Sequence, residues 1–596
     1  MASCRRDMRA SLPEIPMTAA ARDRGDASTE ILIVGGGTGA CAAAMAATSM
    51  GKRVVMTEPT QWIGGQLTSQ AVPPDEHSWI EQFGCTARYR DYRNLVRDYY
   101  RRHQPLTPSA RSNRYLNPGN GFVSRLCHEP RIALAVLEAM LAPARTAGLL
   151  SIRLGRQPHS VRMDGDVMKA VTFTNLATGD METIEASYVL DATELGDLLA
   201  LGNIEYRTGF ESQRETGEPH AVAGDPEPDN VQAFSWVFAM GFDPDGDYTI
   251  DKPSQYANWK TFEPPTDPPW GGPLFQWGRP VLTASSFLEA EGQVEGALRW
   301  EDRVLFAHEA SEPRRAWFPW RRIVDPAQYP PGTVPHEVSL VIWTQNDYMS
   351  GNIIDKPEAT VQQYLEESRQ QSLSFLYWMQ TEAPRPDGGL GYPGLFLAPG
   401  MVGTDTGLAM APYIRESRRI EARFTVTENH IGASARGTSE AEDFFDTVGV
   451  GLYHIDLHFS TGGDHPIHMD CLPFQIPLGA LVPVRVENVL PACKNLGVTH
   501  LTNGSFRLHP VEWNVGEAAG LLAAFCLDQN TRPQGVHDDR QVLREFQELC
   551  LAQGFELEWP KPVAEGGWPA FDKRVLGYLP PGALPRTEWK PPADTH

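Results

Sequence analysis

The chain has 596 residues, 41% of them apolar and 21% charged, with a formal net charge of −23. That length exceeds one compact core, so two or more lobes are expected, and the composition is that of a globular protein. The acidic balance excludes a nucleic-acid binder, which would need a basic stripe, and disfavours an anionic membrane surface; no apolar run approaches the ~18 residues of a transmembrane helix.

Residues 1–28 scatter Arg5, Arg6, Arg9, Arg22 and Arg24 among Ala, Ser and Pro without an apolar h-region, which predicts a disordered tail and not a signal peptide. Glu30–Val34 is a short apolar run suited to a buried parallel strand. The turn Gly35-Gly-Gly-Thr-Gly39-Ala40 follows directly, then the small, helix-prone Cys41–Thr48, then a second strand over Lys52–Glu58. Gly35 permits the tight turn, Gly37 lets the backbone approach a pyrophosphate, and Ala40 is small enough for helix and strand to pack. Thr38 and Gly39 belong to the turn that leads into this helix, and the free N–H groups and dipole at the helix N-terminus attract phosphates. Glu58 stands close to the ~20-residue spacing at which an acid accepts hydrogen bonds from the adenosine ribose and disfavours a 2′-phosphate. Together these parts predict a bound dinucleotide other than NADP.

Trp62-Ile63-Gly64-Gly65-Gln66 comes next, and residues 71–119 form an excursion that holds His77 and Cys85. Cys85 reads as a small buried residue rather than a reactive thiol; a covalent flavin link through His77 stays open. The other cysteines, Cys4, Cys41, Cys127, Cys471, Cys493, Cys526 and Cys550, make no CxxC pair. Neither a disulfide framework nor a zinc site is expected, and a reducing cytoplasm is the expected compartment. Tyr188-Val-Leu-Asp191-Ala192-Thr193 reads as a buried strand and turn.

The stretch 211–474 reads as an inserted lobe, with irregular Gly- and Pro-rich segments at Gly217–Asp229 and Phe262–Pro269. Gly388–Gly394 lacks a preceding strand, so no second dinucleotide site is expected. In Gly451–Phe459 the residues alternate: Tyr453, Ile455, Leu457 and Phe459 fall on one face of a strand and His454, Asp456 and His458 on the other. Imidazoles beside a carboxylate suit proton abstraction coupled to hydride transfer. His465, His468 and Asp470 follow. His454 and His458 with His465 offer three chelating imidazoles, but neither an HExxH nor a clear facial-triad spacing is present, so no metal is expected.

Near the C-terminus, Ser505–Gly520 carries Arg507, His509 and Glu512 ahead of Gly516-Glu517-Ala-Ala-Gly520, where a helix is predicted to open. Arg507 suits a substrate carboxylate, or equally an ion pair with Glu512. Asp538–Phe555 reads as a helix, and Pro560–His596 as a proline-rich wrapping segment. No internal repeat is present.

An acid followed shortly by Gly-Gly, as in Glu58 and Gly64-Gly65-Gln66, resembles the continuation around FAD in two-dinucleotide-binding-domain flavoproteins. Asp191–Asp197 resembles their ATG-type turn. With Asn117-Pro-Gly119, Cys127-His-Glu-Pro130 and Arg507–Gly520, the chain resembles the bacterial FAD-dependent oxidoreductase family, whose members are also called xanthan lyases, over roughly residues 30–530. The resemblance implies an α/β fold: a discontinuous Rossmann-type FAD-binding domain built from 29–210 and 475–530, an inserted α+β substrate lobe at 211–474, and a C-terminal helix and tail at 531–596. It implies FAD held by Gly35, Gly37, Thr38, Gly39, Ala40, Glu58, Gly64, Gly65, Gln66, Asp191, Ala192, Thr193, Gly516 and Glu517, with the Gly516 helix aimed at the flavin. The candidate catalytic residues are His454, Asp456, His458, His468, Arg507 and His509. The expected reaction takes a hydride from a small organic substrate at a C–H next to nitrogen or oxygen and passes electrons to oxygen or another acceptor. A flavin monooxygenase with an external reductant and a non-redox lyase on a flavoprotein scaffold stand as alternatives.

Overall fold

The computed structural model describes residues 26–282, 298–311 and 315–560. Most of the expected N-terminal tail, and the wrapping segment from residue 561 onward, lie outside the described residues.

The central sheet begins with β1 (Asp26–Val34), three residues earlier than the expected domain start. Asp26 to Ser28 extend the strand because they pair with Thr183 to Glu185. Then follow β2 (Val54–Glu58), β3 (Leu150–Leu154), β4 (Arg156–Asp164), β5 (Val167–Asn175) and β6 (Met181–Asp191). Their spatial order is β3-β2-β1-β6-β5-β4, and a seventh strand, Val489–Pro491, returns from far along the chain to pair in parallel with β6. β1 is flanked in parallel by β2 and β6. Both its faces are covered, which is why Ile31, Leu32, Ile33 and Val34 are all fully buried and apolar. This is the Rossmann-type arrangement of a mixed α/β protein.

Helix α1 (Thr38–Ser49) leaves the C-terminal end of β1 and is buried almost all round. It can be, because its side chains are small and another helix presses against it.

The stretch between β6 and Val489 carries further sheets. One runs in the order Arg322–Val324, Val338–Val341, Phe238–Phe242, Leu395–Leu397, all antiparallel. Helix α2 (Glu358–Thr381) packs into the same core. An aromatic core that includes Trp236, Phe238, Trp317, Trp343, Phe375 and Trp378 holds them together. A second sheet contains β7 (Ile455–Leu457) and β8 (Ile467–Met469), antiparallel, with Asp456 opposite His468. The strand expected over Gly451–Phe459 is thus only three residues long; Thr447–Gly451 pairs separately with Phe474–Pro477.

Helix α3 (His500–Phe506) packs under β7 so closely that a Cβ on Gly504 would lie 2.8 Å from the Asp456 nitrogen. Helix α4 (His509–Gln529) follows at once, and α5 (Arg540–Ala552) closes the described chain. The expected helix start at Gly516 is corrected: α4 starts at His509, with Pro510 in its first turn, where a missing N–H costs nothing, and with Glu512 near the positive end of its dipole. Among the described residues no helix is long and apolar enough to cross a membrane.

Candidate active site

The turn after β1 is shaped by what surrounds it. Gly35 has φ +98°, and a Cβ there would lie 2.2 Å from the Ala192 carbonyl oxygen. The Gly36 N–H donates to Glu58 Oε2 at 2.8 Å, and Glu58 Oε1 accepts from the Thr60 N–H at 2.9 Å. Burial pushes the Glu58 carboxyl up to about 7 against the pull of these donors. Gly37 is the N-cap of α1 and brings no side chain to cap it; of the first-turn N–H groups, that of Gly39 is taken by Glu512. A Cβ on Gly39 would lie 2.0 Å from the Ala492 carbonyl oxygen, and Ala40 is fully buried at the strand.

The second glycine pair leans on this turn. Gly64, at φ +108°, donates its N–H to the Gly36 carbonyl at 2.7 Å and accepts from Thr38 Oγ1 at 2.9 Å. A Cβ on Gly65 would lie 2.9 Å from the Gly37 Cα. The carboxylate of Asp191 closes its own turn, accepting from Thr193 N, Thr193 Oγ1 and Leu198 N at 3.1, 2.7 and 3.1 Å. This cradle, stripped of Cβ atoms and set at a helix N-terminus, fits a dinucleotide pyrophosphate.

Beside it stands Lys494, which the sequence reading missed. Its buried ammonium pairs with Glu194 and lies 3.5 Å from Glu512. Glu512 also accepts from the Gly39 N–H at 3.3 Å and from Gln66 Nε2. The expected Arg507–Glu512 pair does not form; Lys494 takes that place. Gly516 and Glu517 lie two turns inside α4. Gly516 packs on α1, and Glu517 accepts from Thr86, Trp513 and Arg88, which ties it into the scaffold.

Gln66 links the cradle to a second cluster by donating to the Arg507 carbonyl at 3.0 Å. Arg507 reaches forward to Tyr413 Oη at 2.7 Å, to the Asp456 carbonyl at 2.8 Å and to Asp456 Oδ2 at 3.2 Å. The other oxygen of Asp456 lies 2.7 Å from His468 Nδ1 and 3.6 Å from His454 Nε2. Burial alone would raise the Asp456 carboxyl, but the two imidazoles hold it well below the usual carboxylate range. His509 opens α4, fully buried, and its Nδ1 accepts the Asp75 N–H at 3.0 Å. Burial keeps it neutral, well below its ordinary value, and Arg321 adds to that.

His458, on the same side of the chain as His454 and Asp456, donates from Nδ1 to Asp347 Oδ2 at 2.7 Å. That bond leaves Nε2 as the ring's acceptor, 4.0 Å from Asp456 Oδ2. Burial, with the Arg415 guanidinium, lowers the His458 pKa from its ordinary value and favours the neutral imidazole. Asp347 is itself buried, which favours its neutral form; Arg415 at 3.0 Å and His458 outweigh this and hold it ionised. Ser235 Oγ donates to its other oxygen at 2.5 Å.

Five of the six residues singled out as catalytic meet around Asp456: His454, His458 and His468 beside its carboxylate and Arg507 just before α4; His509, in the first turn of α4, bonds instead to the Asp75 N–H. Asp347 and Arg415, which set the state of His458, carry no linear signal, since each is remote in sequence and joins the site only through the lobe's fold. His465 turns away, with Nε2 2.5 Å from the Pro268 carbonyl. His77 has both ring nitrogens engaged, by the Trp79 N–H at 3.2 Å and the Gly84 carbonyl at 3.1 Å. Cys85 is buried, and burial pushes its thiol up to about 12.

A family profile described as FAD dependent oxidoreductase matches residues 30–549. No curated protein matches the chain. Among solved structures, similarity extends to an L-proline dehydrogenase from P. horikoshii, with 15% identity, 28% of this chain and 23% of that chain covered, and a TM-score of 0.16. It also extends to the flavin-dependent monooxygenase PieE, with 14% identity, 36% and 35% covered, and a TM-score of 0.20. A flavocytochrome c3 fumarate reductase shares 14% identity over 28% of this chain and 34% of its own, with a TM-score of 0.19. The chain thus spans well under half the length of each of these structures.

Proposed function

The chain belongs to the FAD dependent oxidoreductase family, and from that premise we propose that it oxidises a small organic substrate at a C–H next to nitrogen or oxygen, with His458 as the base. FAD is its cofactor; when bound, it supplies the two-electron acceptor. The Gly35–Ala40 turn, Gly64–Gln66 and the Asp191–Thr193 turn would hold it, with Glu58 accepting from the ribose hydroxyls. The reading rests on one observation: a neutral imidazole, oriented by the buried Asp347, lies in the cluster that Gln66 and Arg507 join to the cofactor cradle. His458 Nε2 takes the substrate's N–H or O–H proton as the neighbouring C–H bond is oxidised. Arg507 orients an oxygen of the substrate, and His509 shapes the floor as a neutral donor. Electrons then pass to oxygen or another acceptor.

Anaerobic mixing of the holoenzyme with amines, amino acids, alcohols and sugars tests this: bleaching of the flavin by at least one class is expected, and peroxide release on re-oxidation would mark an oxidase. Bleaching by none of them would favour the monooxygenase or lyase alternatives.

Two further results are expected. Purified protein is yellow and releases FAD on denaturation, and Glu58→Ala weakens FAD binding by about 1–3 kcal/mol through lost charged hydrogen bonds; equal affinity in a titration would show that Glu58 does not touch the ribose. NADH and NADPH leave the flavin oxidised under anaerobic conditions, since only one dinucleotide fingerprint is present; rapid bleaching by either would contradict this.

A further inference from the structure

We propose that His454, Asp456 and His468 hold a divalent transition-metal ion whose remaining positions take an oxygen of the substrate. The proposal rests on the reading above only in treating this pocket as the substrate's. One ligand atom from each of the three side chains lies within 4.8 Å of the others. The two separations from Asp456 Oδ1, 2.7 Å to His468 Nδ1 and 3.6 Å to His454 Nε2, bracket the spacing of neighbouring donors around one ion. With bonds of about 2.1 Å, that spacing is roughly 3.0 Å at right angles and 3.4 Å in a tetrahedron.

No linear motif announces this set. Asp456 lies on β7 with His454 just before it, and His468 enters only because the register of β7 and β8 places it opposite Asp456. The carboxylate is already fixed. Arg507 takes Oδ2 and the Asp456 carbonyl, so Oδ1 turns toward both imidazoles, as outer-shell partners of metal ligands commonly arrange. Gly504 backs the Asp456 main chain from beneath.

Two imidazole nitrogens and one carboxylate oxygen suit Fe, Mn, Ni or Zn better than Mg or Ca, which prefer oxygen, or Cu(I), which prefers sulfur. Three protein ligands leave positions open. Around them the carboxylates of Asp75, Asp347 and Asp456 are matched by Arg321, Arg415 and Arg507. A divalent ion tilts this balance to positive, so an anionic oxygen, a hydroxyl or carboxylate of the substrate, is the ligand the open positions favour over an amine.

The competing account is a hydrogen-bonded His–Asp–His network with no ion. Full-length holoenzyme, stripped with a chelator and offered Fe(II), Mn(II), Zn(II) or Co(II) singly under anaerobic conditions, separates the two by metal analysis after desalting. About one ion per chain is expected for at least one metal. His468→Ala and Asp456→Asn should weaken binding by more than the ~10–100-fold that loss of an outer-shell partner costs, with FAD content unchanged. His468→Gln, which keeps a polar side chain, serves if the other variants fail to fold. His458→Ala should keep its metal. No stoichiometric binding by wild-type holoenzyme, or equal binding by the His468 variants, overturns the proposal. Because the readout is metal content, it stands or falls independently of whether any substrate bleaches the flavin.

Discussion

Replacing His458 with Ala is expected to slow flavin reduction by the true substrate ~10²–10⁴-fold, the range that a positioned base contributes, with FAD content intact. The imidazole's Nδ1 is tied to the buried, ionised carboxylate of Asp347, a contact that fixes the tautomer and aims Nε2. Its pKa lies below the ordinary value because burial, and then Arg415, disfavour the imidazolium more than Asp347 favours it. A base works when unprotonated, so the reduction rate should hold as pH falls to the ordinary imidazole range and decline only below it. Asp347→Asn removes the charge that favours imidazolium, so the acid limb should move further down while the rate drops from lost orientation. Stopped-flow reduction of each variant across pH measures both effects. His454→Ala should also slow reduction strongly, through Asp456. Near wild-type rates in both histidine variants would overturn the assignment of the base to His458.

The dinucleotide unit was legible because it is local: strand, glycine turn, helix and acid are consecutive, although the contacts that require Gly35 and Gly39 come from Ala192 and Ala492, far along the chain. The alternation of His454, Asp456 and His458 was legible for the same reason, even though the strand proved short. What escaped was whatever depends on register or on distant chain. His468 joins Asp456 through a pairing that sequence spacing does not encode. Asp347 and Arg415 reach His458 from other parts of the lobe. Lys494 sits in an unremarkable Pro-Ala-Cys-Lys stretch, and its role emerges only when Glu194 and Glu512 converge on it. The misplaced helix start had a readable signal: Pro510 in a first turn, with an acid two residues later, marks a helix N-terminus more directly than the Gly516–Gly520 pattern does.

That pattern has a different physical cause, and it makes Gly516→Val strongly damaging to the cofactor domain. A Cβ at Gly516 would lie 2.1 Å from the Gly39 carbonyl oxygen and 2.4 Å from the Gly39 carbonyl carbon and Cα. One turn later, a Cβ at Gly520 would lie 2.3 Å from the Ala43 carbonyl oxygen. These neighbours are backbone, so no side chain can rotate away, and the two helices must part. Parting them strips contacts from a packed core and also moves the first turn of α1, where the Gly39 N–H is held by Glu512. Overpacking of this kind costs about 1–3 kcal/mol and more where the backbone cannot shift, so Gly516→Val should fall at or beyond the upper end and Gly516→Ala below it. Loss of bound FAD should accompany the loss of stability, because the displaced turn is the phosphate cradle. Gly400→Ala is the control: no atom lies within 4 Å of the added methyl, and stability should change by no more than about 0.5–1 kcal/mol. Denaturant unfolding and the ratio of flavin to protein absorbance measure the series, and a Gly516→Val protein with wild-type stability and full FAD would mean that α1 and α4 do not pack this closely.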